Sequence, residues 1–273
     1  MNDDALAAVG LRVDLAGPVA TITLDRPEVR NAQTPAMWRA LAEIGAGLGD
    51  DVRVVVLRGA GAGFSAGLDR RLLDPSAVPE GEESVVDLLS RSDEEILDTI
   101  DVYQRGFTWL RDPRFVSIAV VHGHAIGAGF QLALSCDLRL AATGATFCMK
   151  EAALGLVPDL TGTLPLLEEV GYARALEICV SARTVPADEA LALGLVLDVV
   201  DADALEGRLE ALVASLTAPM AGAARETKGI LVGALGRTLD EQRLVERTAQ
   251  ARRFRELAAL LAGSAAPTGA GGA

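Results

Sequence analysis

HGHAIGAGFQLALSCDLRLAATGATFCMKEAALGLVPDLTGT, residues 122–163, holds the plan of the fold. The run leading into it, FVSIAVVHG (115–123), is apolar and β-branched, as a strand buried on both faces requires. Glycines at 123, 127 and 129 then turn the chain, and GAGFQLALSCD (127–137) continues as a buried helix. LRLAA (138–142) and ATFCM (145–149) return to strand. From Phe115 to Cys136 there is no formally charged residue, so a membrane span must be weighed. The apolar run breaks at His122, and the stretch also holds His124, Gln131 and three glycines. A buried strand, a tight loop and a buried helix are therefore expected.

The same grammar extends outward. In LRVDLAGPVATITLDRP (11–27), two apolar runs flank Ala16-Gly17-Pro18, the signature of a hairpin. Thr34-Pro35 supplies an N-cap and a first-turn proline for a helix to about Gly49. VRVVVLRG (52–59) reads as another buried strand, followed by the Gly-rich loop GAGAGFSAGLD (59–69). Residues 74–101 are proline-punctuated and acidic, a solvated loop and helix surface, and a helix to about Arg111 follows. Repeated strand-strand-helix units with glycine corners predict an α/β fold, a spiral of ββα turns, over residues 1–200. Beyond Val200, helices are expected at about 203–216, from Pro219 to Leu235, and over 238–262. This region, 201–262, is read as a helical C-terminal element, whose apolar positions such as Leu257, Leu260 and Leu261 pack within the chain or in an oligomer. Residues 263–273, GSAAPTGAGGA, read as a disordered tail.

With 273 residues and a formal net charge of −13, the chain does not suit nucleic acid or an anionic membrane as its main partner. Only Lys150 and Lys228 are lysines. Cys136, Cys148 and Cys179 are odd in number and lack CxxC spacing, which fits reduced thiols of a cytoplasmic protein. The acidic start MNDDALAAVG is unlike a signal peptide, and a water-soluble chain is expected.

Two glycine corners carry the candidate chemistry. One is Ser65-Ala66-Gly67-Leu68-Asp69, after the 52–59 strand. The other is Gly127-Ala128-Gly129, at a helix N-terminus. Backbone N–H groups at such corners lack helical partners and sit at the positive end of the helix. Two of them aimed at one oxygen would stabilise an enolate formed from a thioester. Either corner alone is equally well a tight structural turn.

In combination, the 122–163 block, GFSAGLD upstream and the early DRPEVRNA (25–32) resemble the crotonase (enoyl-CoA hydratase/isomerase) family, with agreement from about residue 11 to 250. The resemblance implies the family's spiral with a C-terminal helical oligomerisation region. It also implies homotrimers or hexamers, and an acyl-CoA substrate with no other cofactor and no metal. Carried over residue by residue, the oxyanion hole would use the backbone N–H groups of Leu68 and Ala128. Ala66, Leu68 and Arg71 would line the CoA path, and Arg30 and Lys228 are candidate phosphate contacts or ordinary surface charges.

The acids decide the reaction that the resemblance implies. Family hydratases use two glutamates twenty residues apart; here those positions hold Gln131 and Glu151. A glutamine amide can hold a water but cannot take its proton, and loss of a general base typically costs about 10²–10⁴-fold. Glu151 alone is the pattern of family enzymes that shift a double bond, and Asp159 stands where dienoyl-CoA isomerases also carry an aspartate. Double-bond isomerisation of fatty acyl-CoA thioesters, of β-oxidation type, is the expected activity. The alternatives are a hydratase using Asp159 with Glu151, and an acyl-CoA-binding protein that has lost catalysis. His122 and His124 read as loop packing, and Ser65 lacks the context of a hydrolase nucleophile.

Overall fold

The computed structural model describes residues 2–74, 76–78 and 83–264. A short helix α1 (Asp3–Ala8) leads into strands β1 (Leu11–Ala16) and β2 (Val19–Leu24), paired antiparallel around the Gly17 turn. Helix α2 (Pro35–Gly47) begins where expected, with Thr34 Oγ1 accepting the Met37 N–H at 3.3 Å. Strand β3 (Val54–Gly59) follows, then α3 (Asp93–Thr108), opened by a capping box between Ser92 and Glu95. Part of the acidic 74–101 stretch, residues 75 and 79–82, lies outside the described residues.

The decisive block folds as β4 (Val116–Val121), β5 (His124–Ile126), α4 (Ala128–Ser135), β6 (Leu138–Ala142) and β7 (Thr146–Cys148). After it come α5 (Thr163–Ser181), β8 (Val185–Pro186), α6 (Ala187–Ala192), β9 (Asp198–Val200) and α7 (Leu205–Thr217). The larger sheet has the order β1-β2-β3-β4-β6-β9, parallel except for the β1–β2 hairpin. Strands β5, β7 and β8 form a smaller second sheet. Strands β4 and β6 of the larger sheet are each followed by a strand of the smaller one, β5 and β7, and then by a helix, which are ββα units of the expected spiral; the first turn keeps both β1 and β2 in the larger sheet.

Alternation in the strands separates two cores. Val55, Leu57, Ala119 and Val121 face Trp38, Leu41, Phe107 and Phe130, while Val54, Val56, Ile118, Val120 and Leu140 face Leu205, Leu209 and Leu212 of α7. Because α7 covers this second face, the compact unit extends to Thr217 rather than ending at Val200. The second unit, from Ala218, holds α8 (Ala221–Leu231) and α9 (Leu239–Ser264), tied by the Arg252 guanidinium forked onto Glu226 at 2.6 and 2.7 Å. Leu260 and Leu261 are exposed there. Of the expected tail, residues 265–273 lie outside the described residues, and Gly263 and Ser264 close α9. Among the described residues, no helix is long and apolar enough to cross a membrane.

Helix α4 matters most to the site. All eight of its residues are buried. Its last carbonyls would be costly orphans in that setting. Arg139 satisfies those of Ala133 and Cys136 at 3.2 and 2.9 Å, and Arg111 that of Leu134 at 3.0 Å. Two cations thus cap the negative end, and the positive end points to the glycine corner.

Candidate active site

The first corner is built by Ser65 together with Asn31, Gln33 and Trp38, whose part in it no local pattern announces. Asn31, with φ +54°, donates through Nδ2 to the carbonyls of Ala60 and Gly63 at 2.8 and 2.9 Å. Trp38 Nε1 donates to Gln33 Oε1 at 2.8 Å, and Gln33 Nε2 donates to Ser65 Oγ at 3.1 Å. Ser65 Oγ gives its proton to the Asn31 carbonyl at 2.8 Å and also accepts the Gly67 N–H at 3.1 Å. That hydroxyl is fully used in holding the corner, so a serine nucleophile is excluded.

Gln33 and Leu68 form a parallel bridge, in which Gln33 N–H binds the Gly67 carbonyl and Asp69 N–H binds the Gln33 carbonyl. In such a bridge the flanking groups carry the bonds, and the N–H of Leu68 itself points to the other side. A second bridge, Ser65 with Ala125, joins this corner to β5. Gly67, at φ +84°, permits the closest approach, since a Cβ there would stand 2.4 Å from the Ile126 carbonyl oxygen and 3.4 Å from the Ala128 nitrogen. The two corners predicted from sequence are therefore in contact.

At the second corner, Gly127 (φ +53°) caps α4 and leaves Ala128 as the first helical residue, whose N–H has no intrahelical acceptor. A Cβ on Gly127 would lie 3.3 Å from Glu151 Oε1, so the glutamate abuts the helix start. Glu151 is buried; Oε1 accepts from Gln131 Nε2 at 2.7 Å, and Oε2 has no hydrogen-bond partner among the described residues. Burial pushes its carboxyl above the usual range; backbone and Gln131 hydrogen bonds oppose this, and the charge of Asp159 adds to it. Asp159 is likewise pushed up by burial. The expected trio of Gln131, Glu151 and Asp159 is thus brought together beside the glycine corners.

Both ends of the Gln131 amide are bonded to the protein itself. The residue is fully buried, and its Oε1 accepts the N–H groups of Leu160 at 2.9 Å and Gly162 at 3.3 Å. Both lone pairs are occupied by backbone donors.

The proposed CoA-contacting residues divide. Arg30 is exposed beside the first corner, and its carbonyl accepts the Ala66 N–H at 2.9 Å. Arg71 is held by Asp69 through Nε at 3.0 Å and Nη2 at 2.7 Å, and Arg26 grips the same carboxylate at 3.2 Å. Lys228 is on α8 in the second unit and is buried, not a surface charge. His122 packs its Nε2 on the Gly61 carbonyl at 2.9 Å. Burial and the neighbouring Arg30 and His122 charges lower the pKa of His124. No second polar ligand joins the two histidines among the contacts described.

Against known proteins, residues 15–259 match the enoyl-CoA hydratase/isomerase family. The mitochondrial Δ(3,5)-Δ(2,4)-dienoyl-CoA isomerase of Mus musculus is 36% identical over 231 residues, 82% of this chain and 68% of that one. The (E)-benzylidenesuccinyl-CoA hydratase of Thauera aromatica is 33% identical over 196 residues, 71% of this chain and 70% of that one. A crystal structure of a Thermobifida fusca YX protein in complex with acetoacetyl-CoA matches with a TM-score of 0.89 at 50% identity, covering 93% of this chain and 98% of that one. The spiral, the paired glycine corners and these matches lead to one assignment: the chain belongs to the enoyl-CoA hydratase/isomerase family, the crotonases, and is one of its enzymes.

Proposed function

We propose that the protein binds acyl-CoA thioesters and shifts a carbon–carbon double bond along the acyl chain. The thioester oxygen would accept from the N–H groups of Leu68 and Ala128, with Ala66 and Arg71 along the CoA path and Arg30 near its phosphates. Glu151, ionised, takes a proton from C2; the electron pair moves into a dienolate whose oxygen is held by the two N–H groups. The protonated Glu151 then delivers that proton to C4, leaving the double bond between C2 and C3. The observation that carries this reading is the buried Glu151 carboxylate, with one oxygen that has no hydrogen-bond partner among the described residues, against the α4 corner. Gln131 supplies no base, and its oxygen is engaged by the backbone.

The half-buried Asp159 favours a second reading, hydration with Asp159 and Glu151 as the acid–base pair, because two neighbouring carboxyls can divide those roles. Side-by-side assays on trans-3-enoyl-, 3,5-dienoyl- and trans-2-enoyl-CoA separate the two. Conversion of either of the first two at least tenfold faster than hydration of the third is expected. The reverse order would establish the hydratase, and binding without turnover of any would leave an acyl-CoA-binding protein.

A homotrimer or a dimer of trimers is proposed as the working form. Helix α5, interrupted at Gly171 (φ +75°), exposes Leu164, Leu167, Tyr172, Leu176 and Val180, a stripe too apolar to be left in water. Light scattering should report at least three copies of the 28.4 kDa chain, about 85 kDa, and Leu176→Asp should reduce that mass. A wild-type monomer at micromolar concentration would refute the assembly.

A further inference from the structure

The turn that carries Asp159 is strained. Thr161 has φ +66°, a region in which a β-branched residue is an outlier. Such a conformation persists only where its surroundings impose it. Two glutamines supply the constraint. Gln104 Nε2, from α3, donates to the Asp159 carbonyl at 2.7 Å. Gln131 Oε1, from α4, accepts from the residues on either side of Thr161, Leu160 and Gly162. The turn packs directly on Gln131, since a Cβ on Gly162 would stand 2.7 Å from Gln131 Cγ.

The other half of the same amide donates to Glu151 Oε1 at 2.7 Å. The orientation follows from the network, because the atom facing two N–H donors must be the oxygen and the NH₂ must face the carboxylate. We infer that Gln131 is a positioning residue, an amide clamp whose oxygen holds the strained Asp159–Gly162 turn and whose nitrogen holds Glu151, so that it sets the two carboxyls against each other. An amide serves both partners at every pH, since it keeps its donor and its acceptor without titrating. An ionised carboxylate could accept from the turn but would have no donor for Glu151, and a thioether has no donor and accepts only weakly. The direct Gln131–Glu151 bond also leaves no gap for a water between positions 131 and 151.

The clamp rests on the proposed function only in what Glu151 does with its proton; its hold on the turn is independent of substrate. The titratable groups around Glu151 are Asp159 on the turn, Cys148 on β7 and Cys179 on α5, with Lys150 adjacent in the chain. Burial keeps both thiols protonated through neutral pH, so Asp159 is the neighbour whose charge varies with it.

The test uses the full chain with Gln131→Met and Gln131→Glu. Amide hydrogen exchange at Leu160 and Gly162, which needs no substrate, should quicken at least tenfold in Gln131→Met and stay near wild type in Gln131→Glu, where an acceptor oxygen is kept. The acid limb of kcat/KM should move to higher pH in both, because the donor that favours ionised Glu151 is gone. In Gln131→Glu a second carboxyl adds to the shift, kcat falls at least tenfold with KM little changed, and no hydration appears. Wild-type exchange in Gln131→Met would overturn the hold on the turn, and an unmoved acid limb in both variants would overturn the hold on Glu151. If Gln131→Met does not fold, the acid limb of Gln131→Glu decides. Faster exchange in Gln131→Met, in a protein whose wild type lacks isomerase activity, would refute the proposed function and leave the clamp standing.

Discussion

Glu151→Gln lowers turnover by about 10²–10⁴-fold and leaves acyl-CoA affinity nearly intact. The size follows from removing a group that transfers a proton in the transition state. Affinity is kept because the thioester is held by backbone donors and apolar burial, not by this carboxylate. Steady-state kinetics beside calorimetric titration with a slowly reacting thioester would check both halves. Equal loss of binding and rate would assign Glu151 a structural role. The acid limb of kcat/KM in the wild type should lie above the ordinary glutamate range, since burial raises this carboxyl. Stability moves the other way. The folded chain holds the Glu151 proton more tightly than the unfolded chain, so folding takes up a proton between the unfolded and the raised folded values. Stability therefore falls as pH rises through that window. The variant carries no such charge, so its Tm should exceed that of wild type at neutral pH, and the gap should close on acidification.

Gly67→Ala is expected to reduce kcat by about 10²–10³-fold, the usual effect of losing one oxyanion donor. At φ +84° an alanine is strained, and its Cβ would stand 2.4 Å from the Ile126 carbonyl oxygen, a backbone atom that cannot rotate away. Relief requires the two corners to separate, which carries the N–H of Leu68 away from that of Ala128. Ser65, Gln33 and Asn31 anchor the rest of the first corner, so the variant should fold with a modestly lowered Tm. Free CoA, which has no thioester carbonyl, should bind as in wild type. A rate within tenfold of wild type, in a variant with the mutation verified, would remove the corner from the catalytic machinery.

The parts legible from sequence are those in which local chemistry and long-range packing agree. β3, β4 and α4 announce themselves through unbroken apolar runs, and Thr34-Pro35 marks the start of α2 because capping is local. Strands β5, β8 and β9, of three, two and three residues, are too short for any period to register. The allegiance of α7 is not legible because the turn after Val200 resembles a boundary, whereas Leu205, Leu209 and Leu212 seal the sheet. At the site, Glu151, Asp159 and the glycine corners are legible through the family resemblance of their motifs. Gln131 shows in the sequence what it lacks as a base, but its partners are N–H groups about thirty residues downstream, on a turn whose left-handed threonine nothing local foretells. Asn31 and Gln33 look like surface polar residues in a loop, and only their burial reveals them as anchors.

The Ser65–Ala125 bridge has a kinetic implication. It joins segments sixty residues apart, and neither corner can present its N–H to the other until both turns of the spiral have docked. Contacts of such sequence separation are slow to form, because loop closure must precede any gain from the pairing. Partly folded chains, however rich in helix, would therefore be catalytically silent, and recovery of enzyme activity during refolding should lag behind recovery of the far-ultraviolet dichroism signal.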